Sequence, residues 1–276
     1  MASARRLIRG ASRALLWGFA AVGMAACATA AYLFWVPDVR HLALENPKKT
    51  AYMELFVRSQ IRKKKKPIVM MQWTPLRQIS PHLQHAVIIA EDDMFYRHKG
   101  VDWGSFQKAF DYNLKKGRFA RGASTITQQV ARNLFLSPSR NPLRKAKEMV
   151  IAWKLERALT KDRILELYLN IAEWGVGIYG AQAASRVYFG KDASMLDVEE
   201  ALALAAALPS PWRLNPPKQT GPGMARKKGI LLDRMRRAGY VPAEVSDEDV
   251  EVPEGLDLGA AGVAVSSPTP SLAVQP

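Results

Sequence analysis

Residues 14–36 run without one charged side chain, directly behind Arg5, Arg6, Arg9 and Arg13. This constrains the chain more than any other feature. A helix of that length covers the roughly 30 Å of hydrocarbon in a bilayer, and the rest of the chain must then fold beside a membrane. The basic flank predicts an N-terminus in the cytoplasm and a domain on the far side. Tyr32, Phe34 and Trp35 fall where an interfacial aromatic belt puts such rings. Because the apolar run exceeds the usual core of a cleaved signal peptide, the sequence predicts a retained single-pass anchor.

What lies beyond the anchor is bounded by charge and length. The 276 residues hold 40 Lys plus Arg against 25 Asp plus Glu, a formal charge of +15. Such an excess selects anionic partners: nucleic acid, phosphate or an acidic lipid surface. An N-in anchor removes nucleic acid from that set. The run Arg62-Lys63-Lys64-Lys65-Lys66, close behind the anchor, points to anionic membrane lipids. A lone cysteine, Cys27, excludes an intrachain disulfide framework and a cysteine-based zinc site. The four histidines lack metal-ligand spacing.

Start signals and apolar spacing predict a mainly helical domain. Ser80-Pro81 opens a helix on which Leu83, Ala86, Val87 and Ala90 recur at helical spacing. A second helix covers about 103–114, Ser124 or Thr125 caps a third that runs to about 134, and Asn141-Pro142 opens a fourth to about 159. Further helices are expected at about 161–173, with Ile164, Leu165, Tyr168 and Ile171 inward, and at 182–189, 198–208 and 224–238. Gly175, Gly177 and Gly180 lack the strand and lysine of a phosphate loop, so tight packing explains them better. The expected division is a basic N-terminus at 1–13, the anchor at 14–36, a juxtamembrane segment at 37–74, a folded domain at 75–240 and a disordered tail at 241–276.

Residues 90–133 collect the candidate chemistry. Glu91 falls at the C-terminal end of its helix, where the dipole and partial burial both disfavour the charged carboxylate and suit it to acid or base work. Ser124, Thr125, Gln128, Gln129, Arg132 and Asn133 combine hydroxyls, amides and a cation, a set that suits sugar or phosphate oxygens. On the fourth helix Arg144, Glu148, Ile151 or Ala152, and Leu155 share one face, which turns Glu148 toward the domain. Spacing alone reads Arg144 and Glu148 as a surface i, i+4 ion pair.

Across residues 75–217 the chain resembles the peptidoglycan glycosyltransferases. The resemblance is carried, in order, by Glu91-Asp92-x-x-Phe95-x-x-His98-x-Gly100, by Gly122-Ala-Ser-Thr-Ile-Thr-Gln-Gln129 through Asn133, and by Arg144-Lys145 with Glu148. It continues through Ile164-Leu-Glu-x-Tyr-Leu-Asn170 and Tyr188-Phe189 to Leu204-Ala-Ala-Ala-Leu-Pro209 and Asn215-Pro216. No transpeptidase signature follows, so the chain is similar to the monofunctional, biosynthetic branch. The resemblance implies a lysozyme-like helical glycosyltransferase domain in the periplasm, anchored in the inner membrane. It implies transfer of the growing glycan from undecaprenyl diphosphate to the 4-hydroxyl of lipid II, forming β-1,4 links with inversion.

By the same resemblance Glu91 is the general base and Glu148 the second catalytic glutamate, which orients cations or binds a divalent ion. Arg132, Arg140, Arg144 and Lys145 would neutralise the leaving diphosphate, with arginine standing for lysine at 132. Ser124, Thr125, Gln128, Gln129 and Asn133 would bind sugar or phosphate oxygens, and Asp92, Phe95 and His98 would pack and orient Glu91. No cofactor is fixed, and Mg²⁺ or Mn²⁺ stays an open alternative. Lipid II and the nascent strand are the expected partners, with other cell-wall synthesis machinery a further one. The rival reading is a peptidoglycan-cleaving lytic transglycosylase, which would need an acid aimed at a sugar oxygen in place of a cation cluster.

Overall fold

A computed structural model of the chain describes residues 2–118, 122–139, 141–219 and 221–242. Arg140, residues 119–121 of the basic loop and nearly all of the expected tail therefore lie outside the described residues. The first helix, α1, spans Ala2–Phe34. Leu16, Trp17 and Phe19 are 68–75% exposed, and no part of Leu16–Phe34 is buried inside the protein, so a bilayer is the medium that would cover this apolar surface.

The 37–74 segment does more than connect. Val39 and Leu42 are buried in the domain core, and Thr50 caps α2 (Ala51–Arg62) by accepting from the Met53 amide at 3.1 Å. Met53 and Phe56, one turn apart, seat α2 against the domain, where it meets α5 (Ile126–Phe135). Arg163 fastens the preceding turn, donating through Nε to the Leu42 carbonyl at 2.8 Å and through Nη2 to the Glu45 carbonyl at 2.9 Å. The segment closes with strand β1 (Met70–Met71) in a small sheet that the sequence reading did not anticipate.

That sheet joins β2 (Glu173–Gly175) and β3 (Ile178–Tyr179) in the order β1-β3-β2, with β1 parallel and β2 antiparallel to β3. The glycines between are there for packing. A Cβ on Gly175 would stand 2.1 Å from the Tyr188 hydroxyl, and one on Gly177, at φ +73°, would stand 2.3 Å from the Ile68 carbonyl oxygen.

The remaining helices are α3 (Pro81–Glu91), α4 (Trp103–Lys116), α6 (Pro142–Ala158), α7 (Lys161–Ile171), α8 (Ala181–Phe189), α9 (Val198–Ala207) and α10 (Pro222–Arg237). Their starts follow the expected caps: Ser80 and Pro81 for α3, Thr125 for α5, Asn141 and Pro142 for α6. α5 lies against α6 and α7, while α3 packs on α9 and α10. The core includes Leu83, Val87, Phe95, Ile126, Val130, Ile151, Leu155, Leu165 and Tyr168, all essentially buried. α5 thus packs on the helix that carries Glu148 and reaches the Glu91 end of α3 through the Gln129 side chain.

Candidate active site

Glu91 is the last residue of α3, held in place by buried Leu83, Ala86 and Val87 on the helix behind it. Across from it, Gln129 of α5 donates through Nε2 to Glu91 Oε2 at 2.7 Å. The other end of that amide is fixed as well. Its oxygen accepts from the Tyr168 hydroxyl of α7 at 3.3 Å and from Arg132 at 3.5 Å, so its NH₂ must face the carboxylate. Burial pushes the Glu91 carboxyl above the ordinary carboxylate range, opposed by the Gln129 hydrogen bond, Lys227 and Arg132 and reinforced slightly by Asp92. Burial raises Tyr168 well above its usual range, with Glu91 adding to the rise, so its hydroxyl remains a donor to Gln129.

Asp92 and His98 form the frame beside that carboxylate. Asp92 Oδ2 accepts from the Ile126 amide at 2.9 Å, which satisfies one of the free N–H groups opening α5. His98 Nε2 lies 2.9 and 3.0 Å from the two Asp92 oxygens, and His98 Nδ1 accepts from the Gly100 amide at 3.2 Å. The tautomer follows: the ring proton sits on Nε2 and points at Asp92. Thr125 Oγ1 donates to the Gly100 carbonyl at 2.7 Å and accepts from the Gln128 amide at 3.2 Å, while Gln128 Oε1 accepts from the Thr125 amide at 3.1 Å. Thr125 and Gln128 thus form a reciprocal cap. Phe95, fully buried, packs edge-on to His98. These contacts lock the loop after α3 to the start of α5.

Gln128, the neighbour of Gln129, reaches a different carboxylate. Lys145 Nζ lies 3.4 Å from Gln128 Oε1 and donates to Ser124 Oγ at 2.8 Å and to Glu148 Oε1. Arg144 Nη1 occupies the second Glu148 oxygen at 2.6 Å, and its Nε donates to the Ser139 carbonyl at 2.6 Å. The Glu148 side chain is fully buried. A surface ion pair, which spacing favoured, is therefore the wrong description: the pair closes inward because Ile151, Ala152 and Leu155 on the same face are buried. Burial lowers the proton affinity of Lys145 against the pull of Glu148, with Arg132 and Arg144 adding to the lowering.

With both Glu148 oxygens held by cations, the donor set there does not suit a divalent ion. Among the described residues no group of three or more His, Cys, Asp or Glu comes together to hold a metal. Arg132 is within electrostatic reach of both Glu91 and Lys145. Asn133 follows Gln129 by one turn on α5 and is half-buried.

A cavity of about 320 Å³ opens beside Glu91, between the end of α3, α4 and residues 122–125; Ser124, Lys108 and Arg234 help to line it. α10 closes one side. Its Arg234 pairs with Asp93 at 2.9 Å. Two turns earlier on the same helix, half-buried Lys227 donates to the Ala206 carbonyl at 2.8 Å and exchanges charge attraction with Glu91. Sequence reasoning missed Lys227, which sits in a run of basic residues with no distinguishing signal. It also missed Tyr52 of α2, whose hydroxyl burial holds in the neutral form and whose electrostatic neighbours are Arg132, Arg144 and Glu148. The amphipathic spacing of Met53 and Phe56 was the available clue to α2.

The sequence model of the Transglycosylase family matches residues 59–236. Among curated proteins, the chain is 43% identical over 208 residues to a biosynthetic peptidoglycan transglycosylase of Nitrosospira multiformis, covering 75% of this chain and 90% of the relative. It is 41% identical over 231 residues to one from Thiobacillus denitrificans, covering 82% and 98%. To one from an Azoarcus species it is 46% identical over 197 residues, covering 71% and 84%.

Proposed function

The chain belongs to the transglycosylase family, and we propose that it polymerises peptidoglycan glycan strands from lipid II at the periplasmic face of the inner membrane. The observation that carries the reading is the pair of unlike sites flanking α5: a single half-buried carboxylate with one neutral hydrogen-bond donor on one side, and a clustered set of cations on the other.

The reaction needs both. The acceptor's 4-hydroxyl oxygen bonds to the donor's anomeric carbon as the bond from that carbon to the diphosphate oxygen breaks, and attack from the opposite face inverts the centre. Glu91 takes the hydroxyl proton as general base, with Gln129 fixing its orientation. A carboxyl whose proton affinity is raised is a stronger base than an ordinary one, so burial helps the step once the group is ionised. The bond electrons leave with the diphosphate. That group needs charge neutralisation rather than a proton, and Arg132, Arg144 and Lys145 supply it, with Arg140 assigned by resemblance alone. Preplaced cations aimed at developing charge lower a barrier by several kcal/mol in favourable cases. Glu148 acts through Arg144 and Lys145, holding them in place.

Cutting a finished strand would instead require an acid aimed at a glycosidic oxygen. Neither the cation cluster nor the biosynthetic relatives favour that rival. The reading further holds that the cations serve without a protein-bound divalent ion, and that the arginines before the anchor keep the N-terminus in the cytoplasm.

The test supplies purified full-length protein with lipid II, and separately with intact cell-wall sacculi. Polymer from lipid II with no soluble fragments from sacculi is the expected result. Fragments without polymer would overturn the synthetic reading.

A further inference from the structure

α6 has two faces with different assignments. Glu148, Ile151, Ala152 and Leu155 point inward, and the outer side carries Lys147, Trp153, Lys154 and Arg157. Both halves of that outer side meet the chain where it leaves the anchor. Near the start, Lys147 Nζ lies 4.3 Å from the centre of the Tyr32 ring, two residues before α1 ends. Near the end, Trp153, Lys154 and Arg157 line a cavity of about 390 Å³ together with Pro37, Asp38 and Arg40, the first residues after the apolar span.

The cavity has the composition of an interfacial anion site. Three cations, Arg40, Lys154 and Arg157, face one carboxylate. That carboxylate, Asp38, is already engaged by Arg40, through the backbone amide at 3.0 Å and the guanidinium at 3.5 Å. Arg157 lies over the Trp153 ring at 4.7 Å, and Trp153 is 51% exposed. A half-exposed indole beside guanidinium and ammonium groups is the arrangement favoured at headgroup level, where cations near an anionic surface are attracted to it.

We infer that this outer face of α6, centred on Trp153, Lys154 and Arg157 with Arg40, is a docking surface for the phosphate headgroups of anionic membrane phospholipids. Charge complementarity and continuity with the anchor's exit argue for that occupant. The inference rests on Leu16–Phe34 crossing a bilayer. Its consequence for the proposed reaction is geometric. Since the opposite face of the same helix holds Glu148 and its cations, seating the outer face on headgroups fixes the height of those cations above the membrane. A lipid-linked diphosphate also emerges at that level.

The experiment places the full-length protein in nanodiscs of neutral phosphatidylcholine, with or without phosphatidylglycerol carrying a photoreactive headgroup, and maps crosslinks by mass spectrometry. Expected are crosslinks at residues 37–40 and 153–157 that exceed those from an equally reactive phosphatidylcholine several-fold. They should fall several-fold in the K154E/R157E double variant while crosslinks at Lys63–Lys66 persist. Raising salt on the unaltered protein should weaken them in parallel, which keeps the test decisive if the variant misfolds. Equal labelling by the two lipids, or labelling indifferent to both salt and charge reversal, would overturn the inference. Lipid II polymerisation in detergent, run alongside, separates this failure from failure of the proposed reaction, because detergent removes the bilayer and leaves the chemistry.

Discussion

Glu91, half-buried, and Glu148, fully buried, are served by adjacent residues of one helix, and their surroundings assign them opposite work. Consecutive positions on a helix point about 100° apart, so Gln129 turns to Glu91 while Gln128 turns to the Lys145 and Glu148 cluster. Glu148 has a cation on each oxygen and no exposure. Glu91 has one amide, a neighbouring cavity, and cations held at a distance. Two cations fix the position of the Glu148 carboxylate, whereas the Glu91 carboxylate, which burial destabilises and a single amide orients, is placed to exchange a proton.

The contrast breaks first at Glu148. Glu148→Ala leaves two cations without their anion, and breaking such a buried pair costs about 3 kcal/mol, the low end of the usual range because Lys145 keeps some contact with water. Thermal unfolding in detergent should show that loss, and polymerisation should fall about 10²-fold with it. Unchanged stability would mean the cluster is not a structural unit. The next effect is smaller and lies on the other flank. Lys227→Met removes a cation that favours the Glu91 anion, so the acidic limb of kcat/KM should move to higher pH. Lys227→Arg should restore the limb. A limb that does not move would remove Lys227 from the account. The smallest effect is expected from metal removal: a chelator should change polymerisation by less than about twofold, since the barrier is lowered by this chain's own cations. Abolition by the chelator, reversed by Mg²⁺ or Mn²⁺, would replace that view.

Much of this geometry was legible because it depends on local rules. Ser80-Pro81, Thr125 and Asn141-Pro142 marked their helices through capping chemistry, and the period that placed Ile151, Ala152 and Leu155 together also turned Glu148 inward. The rest depends on contacts distant in sequence. α2 and β1 hid in the 37–74 segment because two buried side chains on a short helix and a two-residue strand leave almost no periodic signal, and a lysine run separates them. The i, i+4 spacing of Arg144 and Glu148 did not by itself separate a surface pair from a buried one; the apolar face that carries Glu148 decides it, and the Lys145 partners Ser124 and Gln128 that lie across it were not legible. Lys227 gained its role from the packing of α10 on α3 and α9, and Tyr168, legible as a core residue, gained its from one hydroxyl reaching Gln129.

The burial of Glu91 also has a thermodynamic sign. Its folded-state proton affinity is raised, so the carboxyl contributes stability below the ordinary carboxylate range and loses that contribution as pH rises through the raised value. At neutral pH the charged form therefore costs stability, and Glu91→Gln should be as stable as the parent or more so. The most direct test of the two-flank account measures this one variant three ways: lipid II binding, polymerisation rate and unfolding. The account predicts retained binding, a rate reduced about 10² to 10⁴-fold, the usual worth of a general base, and undiminished stability. A variant that polymerises at near the parent rate, or that fails only because it no longer binds or folds, would contradict it.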